Sequence, residues 1–216
     1  MQQRAERTRA QILRAAEEEF SELGFYGARV DSIATNAGVN KALIYKYYGN
    51  KEELYKTVFS LVYDRFTSLE RKFVGDEEST DFREKVYRFV KLDFKYLEEN
   101  PHYVRMLMWE NMNHAKNFCE SELGFSKVPI LRGMEKIIEE ARKEGNLSPS
   151  VDAKQLLLTF YACGFNYFSN MATLSNIVGT DLSSSQAKEK RIQSVADMII
   201  AYLSPTTGRK MSGCTM

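Results

Sequence analysis

Cysteine, proline, histidine and net charge are all scarce in this chain, and each scarcity removes a class of explanation. Three cysteines, Cys119, Cys163 and Cys214, are too few, too far apart and too odd in number for a disulfide framework, which points to a reducing cytosol. With only four prolines, most of the chain is free to be helical. Histidine occurs at His102 and His114 alone, and there is no HExxH, no CxxC and no glycine-rich phosphate loop. An enzyme would have to assemble its nucleophile, base or metal from scattered positions, so the chain reads as a non-enzyme with no cofactor and no metal. No apolar run reaches the roughly 18 residues of a membrane span, and the start, MQQRAERTRAQ, has no apolar signal core. The expected location is cytoplasmic, with no membrane partner. A formal net charge of +1 lacks the strong basicity of a typical phosphate binder, so any argument for nucleic acid has to be local.

What the chain does have is one helical pattern after another. The hydrophobic fraction, 44%, suffices for a real core, and no alternating strand-type segment of any length appears. The expected fold class is all-α. The first segment, about Ala5 to Leu23, places Ile12, Leu13, Ala16, Phe20 and Leu23 on one stripe opposite Glu17, Glu18 and Glu22, and Gly24 ends it. Two short helical pieces, Val30 to Asn36 and Lys41 to Tyr48, flank Ala37-Gly38-Val39, a helix-turn-helix layout in which the glycine supplies positive φ. Asn50 is an N-cap with Glu53 at capping-box spacing. The helix it starts carries Leu54, Val58, Leu61, Val62, Phe66, Leu69 and Phe73 over about 35 Å. Gly75 to Ser79 is the candidate bend. Phe82, Val86, Phe89, Val90 and Leu97 then mark a helix ending near Asn100, and Asn100-Pro101 caps and starts the next. Further segments run from about Met106 to Leu123, Lys127 to Glu144, Asp152 to Ile177, and Ser185 to Leu203. The expected domains are residues 1–50, holding the helix-turn-helix, residues 51–204, a helical bundle, and a flexible tail at 205–216.

A helix-turn-helix reads DNA by laying its second helix in the major groove while flanking groups hold phosphates. Here Ile44 and Tyr48 can pack inward on Ile33, Ala34 and Phe20, which leaves Lys41, Ala42, Tyr45 and Lys46 outward. Lys41 and Lys51 each occupy the first position of a helix. A cation there costs about 0.3–1 kcal/mol against the helix dipole, and a bound phosphate reverses that penalty. From Arg29 to Lys51 the charges are Arg29, Lys41, Lys46 and Lys51 against Asp31. The first residues add Arg4, Arg7, Arg9 and Arg14 against Glu6.

At these residues a family resemblance appears. The stretch RVDSIATNAGVNKALIYKYYGNKEELY resembles the signature of the TetR family, and RTRAQILRAAEEEFSELGF resembles that family's first helix, so the likeness covers about Arg4 to Leu54. The resemblance implies operator contacts from Lys41, Ala42, Leu43, Lys46 and Tyr47, and phosphate contacts from Tyr45 and Lys51. Arg29 stands where members often have a capping threonine; it could reach a phosphate and cannot cap. Tyr48 stands where phenylalanine is usual, so its hydroxyl needs a partner or an exit. One short recognition helix reads few base pairs, which implies a homodimer on a palindromic operator in double-stranded DNA.

The resemblance also implies a sensor in the second half. Asp152 to Ile177 is apolar nearly all round and requires burial on more than one face. By resemblance it pairs with the last helix in a four-helix dimer interface, with Tyr161, Phe168, Ile192, Val195 and Ile199 as candidates. Phe94, Tyr103, Met106, Trp109 and Met112, with Phe160, Phe165 and Asn166, are candidates to line a cavity for a small effector. Methionines and aromatics suit a lipophilic or aromatic molecule. The implied function is a one-component, ligand-responsive transcriptional regulator, by the family's default a repressor. The alternative is a helical interaction module whose helix-turn-helix no longer binds DNA. Salt dependence separates the two.

Overall fold

The computed structural model describes residues 2–74, 81–117 and 151–204, with positions 131, 135, 138, 139, 141, 142 and 147 between them. The side chains of Gln2 and of Leu69 to Val74 fall outside that description. So do the expected bend at Gly75 to Ser79, most of the segments expected from Lys127 to Glu144 and beyond Asn117, the tail, and Cys119 and Cys214. The described residues fall into two compact units, one within Met1–Arg71 and Tyr96–Val128, the other within Lys72–Lys95 and Pro129–Met216.

Every element with described bounds is a helix: α1 Gln2–Gly27, α2 Val30–Ala37, α3 Lys41–Tyr48, α4 Lys51–Val74, α5 Phe82–Glu99, α6 Pro101–Met112, α7 Ala153–Ser169, α8 Met171–Val178 and α9 Ser185–Leu203. None of them is long and apolar enough to cross a membrane.

In the first unit, Ile12, Ala16 and Phe20 of α1 are fully enclosed, together with Ile33, Ile44, Leu54, Tyr55 and Val58. Burying each large apolar side chain stabilises the unit by about 1.5–3 kcal/mol. The stripe expected on α1 is buried at Ile12, Ala16 and Phe20, half-buried at Leu13, and fails at its end, where Leu23 is 48% exposed. On α4 the expected stripe holds at Leu54, Val58, Val62 and Phe66 and fails at Leu61. Leu61 is 39% exposed, whereas Tyr55 and Phe59 are enclosed. Their rings stack at 6.3 Å, and Tyr55 meets Phe20 edge-on at 5.0 Å, so aromatic packing sets which face of α4 turns inward.

Pro101 opens α6 as expected, but Asn100 does not cap it: its amide donates back to the Tyr96 carbonyl at 2.8 Å. After Met112 the chain turns sharply, with His114 and Ala115 at φ 57° and 55°, conformations that non-glycine residues rarely adopt. Glu110, 1% exposed, anchors this turn. Its carboxylate accepts from the Tyr55 hydroxyl at 2.7 Å and from Asn117 at 2.9 Å and 3.1 Å.

In the second unit, α7 buries Leu156, Phe160, Gly164 and Tyr167, one side of the helix. Phe160 stacks on Phe89 at 4.2 Å, and the Tyr167 hydroxyl donates to the Leu182 carbonyl at 2.7 Å. The single segment expected from Asp152 to Ile177 is two helices. Asn170, at φ −115° and ψ 14°, interrupts it, and its amide bonds the Asn166 carbonyl and side chain and the Ser169 hydroxyl. Such local side-chain bonds compete with the helix ladder. On α9, Ile192, Val195, Ala196, Ile199 and Leu203 are buried within the chain.

Tyr96 ties stability to alkaline pH. Its ring packs against Phe66 at 5.1 Å and Tyr103 at 5.5 Å, and its enclosed hydroxyl has no hydrogen-bond partner among the described residues. Burial pushes its phenol up to about 12, with Arg65 opposing and Glu17 adding. The folded protein therefore keeps a proton that the unfolded chain releases near the ordinary value of 10.0. Stability from this group is complete below that value and declines as pH rises through the raised one. Over that window the loss is about 2–3 kcal/mol. Tyr96→Phe should flatten the alkaline fall in urea midpoint. An unchanged fall would assign the titration elsewhere.

Candidate nucleic-acid interface

The helix-turn-helix is built from α2, a tight turn and α3. Val30, Ile33, Ala34 and Ala37 of α2 and Ile44 of α3 bury against α1 and one another, which orients α3. Gly38 makes the turn at φ 65° and ψ 34°, its N–H reaching the Thr35 carbonyl at 3.1 Å. An added Cβ there would meet nothing within 4 Å, so the requirement for glycine is conformational, not steric. Asn40 caps α3 by accepting from the Ala42 N–H at 2.8 Å. Asn50 does the same for α4, accepting from the Glu53 N–H at 2.9 Å. The reciprocal half of the capping box is missing, because the Asn50 N–H donates to the Tyr48 carbonyl at 2.9 Å and the Glu53 carboxylate lies 3.5 Å from Lys56. α3 therefore begins at one capped helix start and is followed by another, that of α4.

Ala42, Tyr45 and Lys46 are exposed on α3, as the outward face requires, and Lys41, Leu43 and Tyr47 are half-buried. Lys41 donates to Asp31 at 2.9 Å and stands 5.9 Å from the centre of the Tyr45 ring. That hydrogen bond raises its pKa. Lys51 lies over the Phe25 ring at 4.9 Å, and burial lowers its pKa against the pull of Glu19. Arg29 points to solvent at the start of α2 and makes no side-chain cap. Its backbone N–H donates to Glu19 at 2.9 Å. The Tyr48 hydroxyl is enclosed with no hydrogen-bond partner among the described residues, and burial raises its pKa.

Three participants escaped the sequence reading. Arg9 lies 5.0 Å over the Tyr47 ring, joining the arginine-rich start of α1 to the recognition helix. Asp31 holds Lys41, and Glu19 braces the start of α2. Only the basic cluster at the amino end hinted at the first; the other two are contacts ten residues apart that no helical spacing predicts.

Comparison with known proteins fits this geometry. Residues 12–58 match the family described as bacterial regulatory proteins, tetR family, and residues 83–199 match the tetracyclin repressor-like C-terminal domain. Over 205 residues, 93% of this chain and 94% of the relative, the chain is 31% identical to the HTH-type transcriptional repressor NicS of Pseudomonas putida. The chain belongs to the TetR family. The HTH-type transcriptional regulator RutR of Escherichia coli is 24% identical over 90% of this chain and 89% of its own length. Among solved structures, the fatty acid degradation regulator FadR from Bacillus halodurans superposes with a TM-score of 0.67 at 22% identity, covering 88% of this chain and 93% of that one.

In this TetR-family chain, α6 grips α1 within the first unit. Trp109 donates its indole N–H to the Ser21 carbonyl at 3.2 Å and lays its ring against Gly24. Arg105 pairs with Glu22, and His102 lies 3.5 Å from Glu17, which Arg65 of α4 also holds at 2.7 Å. Of the residues expected to line an effector cavity, Tyr103, Met106, Trp109 and Met112 belong to the first unit and Phe94, Phe160, Phe165 and Asn166 to the second. Tyr103 stacks on Phe66 at 4.9 Å, Met106 is enclosed, and Met112 is 61% exposed. Phe94 packs at 5.5 Å from both Tyr167 and Phe168. Of the dimer candidates, Tyr161 and Phe168 are half-buried and Ile192, Val195 and Ile199 are buried within the chain. The exposed large apolar residues of α7 and α9 are Leu158, Met198 and Tyr202.

Proposed function

We propose that this chain is a one-component transcriptional repressor that binds a palindromic operator as a homodimer and leaves it when a small apolar or aromatic effector binds. The observation that carries the reading is α3: its exposed Ala42, Tyr45 and Lys46 lie on a helix whose start is capped by Asn40 and which is followed by the Asn50-capped start of α4. Lys46 and Tyr45 face the groove and backbone. Ala42 and Leu43 read shape and thymine methyls, and Lys51 and Arg29 take phosphates. Residues 1–50 carry this reading, and residues 51–204 carry effector response and dimerisation.

Dimerisation runs through α7 and α9. Ile192, Val195 and Ile199 support the face from beneath, while Tyr161, Phe168 and the exposed Leu158, Met198 and Tyr202 meet the mate. The aromatic interior of the second unit, around Phe94 and Phe160, suits an apolar effector. Because α6 holds α1 through Trp109 and Arg105, a shift of α6 between two states carries the reading head with it.

Selection of genomic fragments by the full-length protein across a salt series tests this reading. Enrichment of one near-palindrome with a steep loss of affinity in salt is expected. Lys46→Ala should weaken binding to that fragment by about tenfold, a loss of about 1.4 kcal/mol, with no change in thermal midpoint. Sequence-blind binding, insensitive to salt, would favour the interaction module.

A further inference from the structure

The structure assigns Asp31 a part in discrimination: we propose that its carboxylate withholds Lys41 from DNA of the wrong sequence, which makes Asp31 a positioning residue for operator recognition. The inference rests on the reading of Lys41 as a DNA-contacting residue.

Lys41 is the first residue of α3 and Asp31 lies in the first turn of α2, so the helix-turn-helix itself brings them together, Nζ to Oδ2 at 2.9 Å. The ammonium also stands 5.9 Å from the centre of the Tyr45 ring. Both side chains remain open to solvent, 43% and 74% exposed. A pair this exposed adds little to stability. The angle between α2 and α3 is already set by buried Ile33, Ala37 and Ile44 and by the Gly38 turn. Holding the fold is therefore not what the pair chiefly does.

Its effect on charge is larger. The two lysines of α3 are Lys41 and Lys46, and tying one to a carboxylate halves the positive charge that this helix presents at a distance. A duplex of arbitrary sequence is met loosely, its phosphates reached through water. At such range a carboxylate already in contact outcompetes them, so Lys41 stays where it is. A closely docked operator seats a phosphate at the start of α3, where the helix dipole assists it, and there the lysine is surrendered. Asp31 thus subtracts one cation from loose complexes and not from the tight one.

The test compares the wild-type chain and Asp31→Asn on two duplexes, the palindrome recovered by genomic selection and a random-sequence duplex of equal length, across a salt series. Asp31→Asn should bind the random duplex about fivefold more tightly. The slope of its log affinity against log salt should steepen by about 0.9, one added phosphate contact. The recovered palindrome should gain less, so the ratio of the two affinities falls. Asp31→Glu, which keeps the charge, should retain the wild-type ratio, and in a Lys41→Gln background Asp31→Asn should change nothing. An unchanged slope on the random duplex, or the same gain without Lys41, would overturn the proposal. If Lys41→Gln by itself left affinity for the palindrome unaltered, the reading of Lys41 as a DNA contact would fall instead, and the proposal with it.

Discussion

Gly24→Ala should lower the free energy of unfolding by about 3–4 kcal/mol, because two independent requirements meet at that position. The backbone adopts φ 65° and ψ 178°, a region that only glycine enters without strain of about 1–3 kcal/mol. An added Cβ would also lie 2.7 Å from Cδ2 of Trp109, with the indole face behind it. Relieving that clash forces either the α6 ring or the end of α1 to move, at a further cost of about 1–3 kcal/mol. Urea unfolding of the single and double variants separates the two contributions. In a Trp109→Ala background the alanine should lose its steric penalty and keep its backbone penalty, so its cost falls by about half. An equal cost in both backgrounds would mean that the ring yields freely and that only the dihedral angles matter.

Glu110→Ala should be comparably damaging, by about 3–5 kcal/mol, because it removes the acceptor of a buried charged network and leaves the donors behind. The Tyr55 hydroxyl and both N–H groups of Asn117 would lose their partner at a site that is 1% exposed in the native protein. In the native protein burial, then the hydrogen bond to Glu110, push the Tyr55 phenol far above its ordinary value. Glu110→Gln keeps the shape and one oxygen acceptor, and its cost should fall to about 1–2 kcal/mol. Amide exchange gives the local readout. The N–H groups of Ala115, bonded to the Glu110 carbonyl at 2.7 Å, and of Asn117 should exchange faster in Glu110→Ala at denaturant concentrations that leave α4 protected. Unaltered exchange there would show that the turn at His114 and Ala115 holds itself.

The reading head was the most legible part of the sequence. Gly38 between two short apolar patterns placed the turn, and the outward positions of α3 followed from the inward ones, since a helix that buries Ile44 must expose Ala42, Tyr45 and Lys46. What spacing could not supply were contacts set by tertiary packing. The pairing of Lys41 with Asp31 crosses a turn, and that of Arg9 with Tyr47 crosses most of the head. The expected α4 stripe held at Leu54, Val58, Val62 and Phe66 and failed at Leu61 for a related reason. Tyrosine counts as half polar in a pattern, yet Tyr55 is enclosed because its one polar atom has a dedicated acceptor in Glu110.

Asn170 shows the opposite limit. An apolar run over Asp152 to Ile177 reads as one helix because hydrophobicity carries no record of the amide that turns back on Asn166 and Ser169. Gly24 was legible as a stop. That it also makes room for an indole from α6 was not, since Trp109 lies far along the chain and looks from composition alone like any other apolar aromatic.

The Phe25 ring lies 4.9 Å from the Lys51 ammonium and 5.3 Å, centre to centre, from the Tyr55 ring. Tyr55 in turn holds Glu110. A surface cation is thus separated from the buried acid at the foot of α6 by two aromatic side chains, each with only two rotatable bonds and each held on its neighbours. Lys51 and Tyr55 stand one turn apart on α4, so the helix that presents the cation also carries the hydroxyl donor to that acid, and Phe25 of α1 braces both.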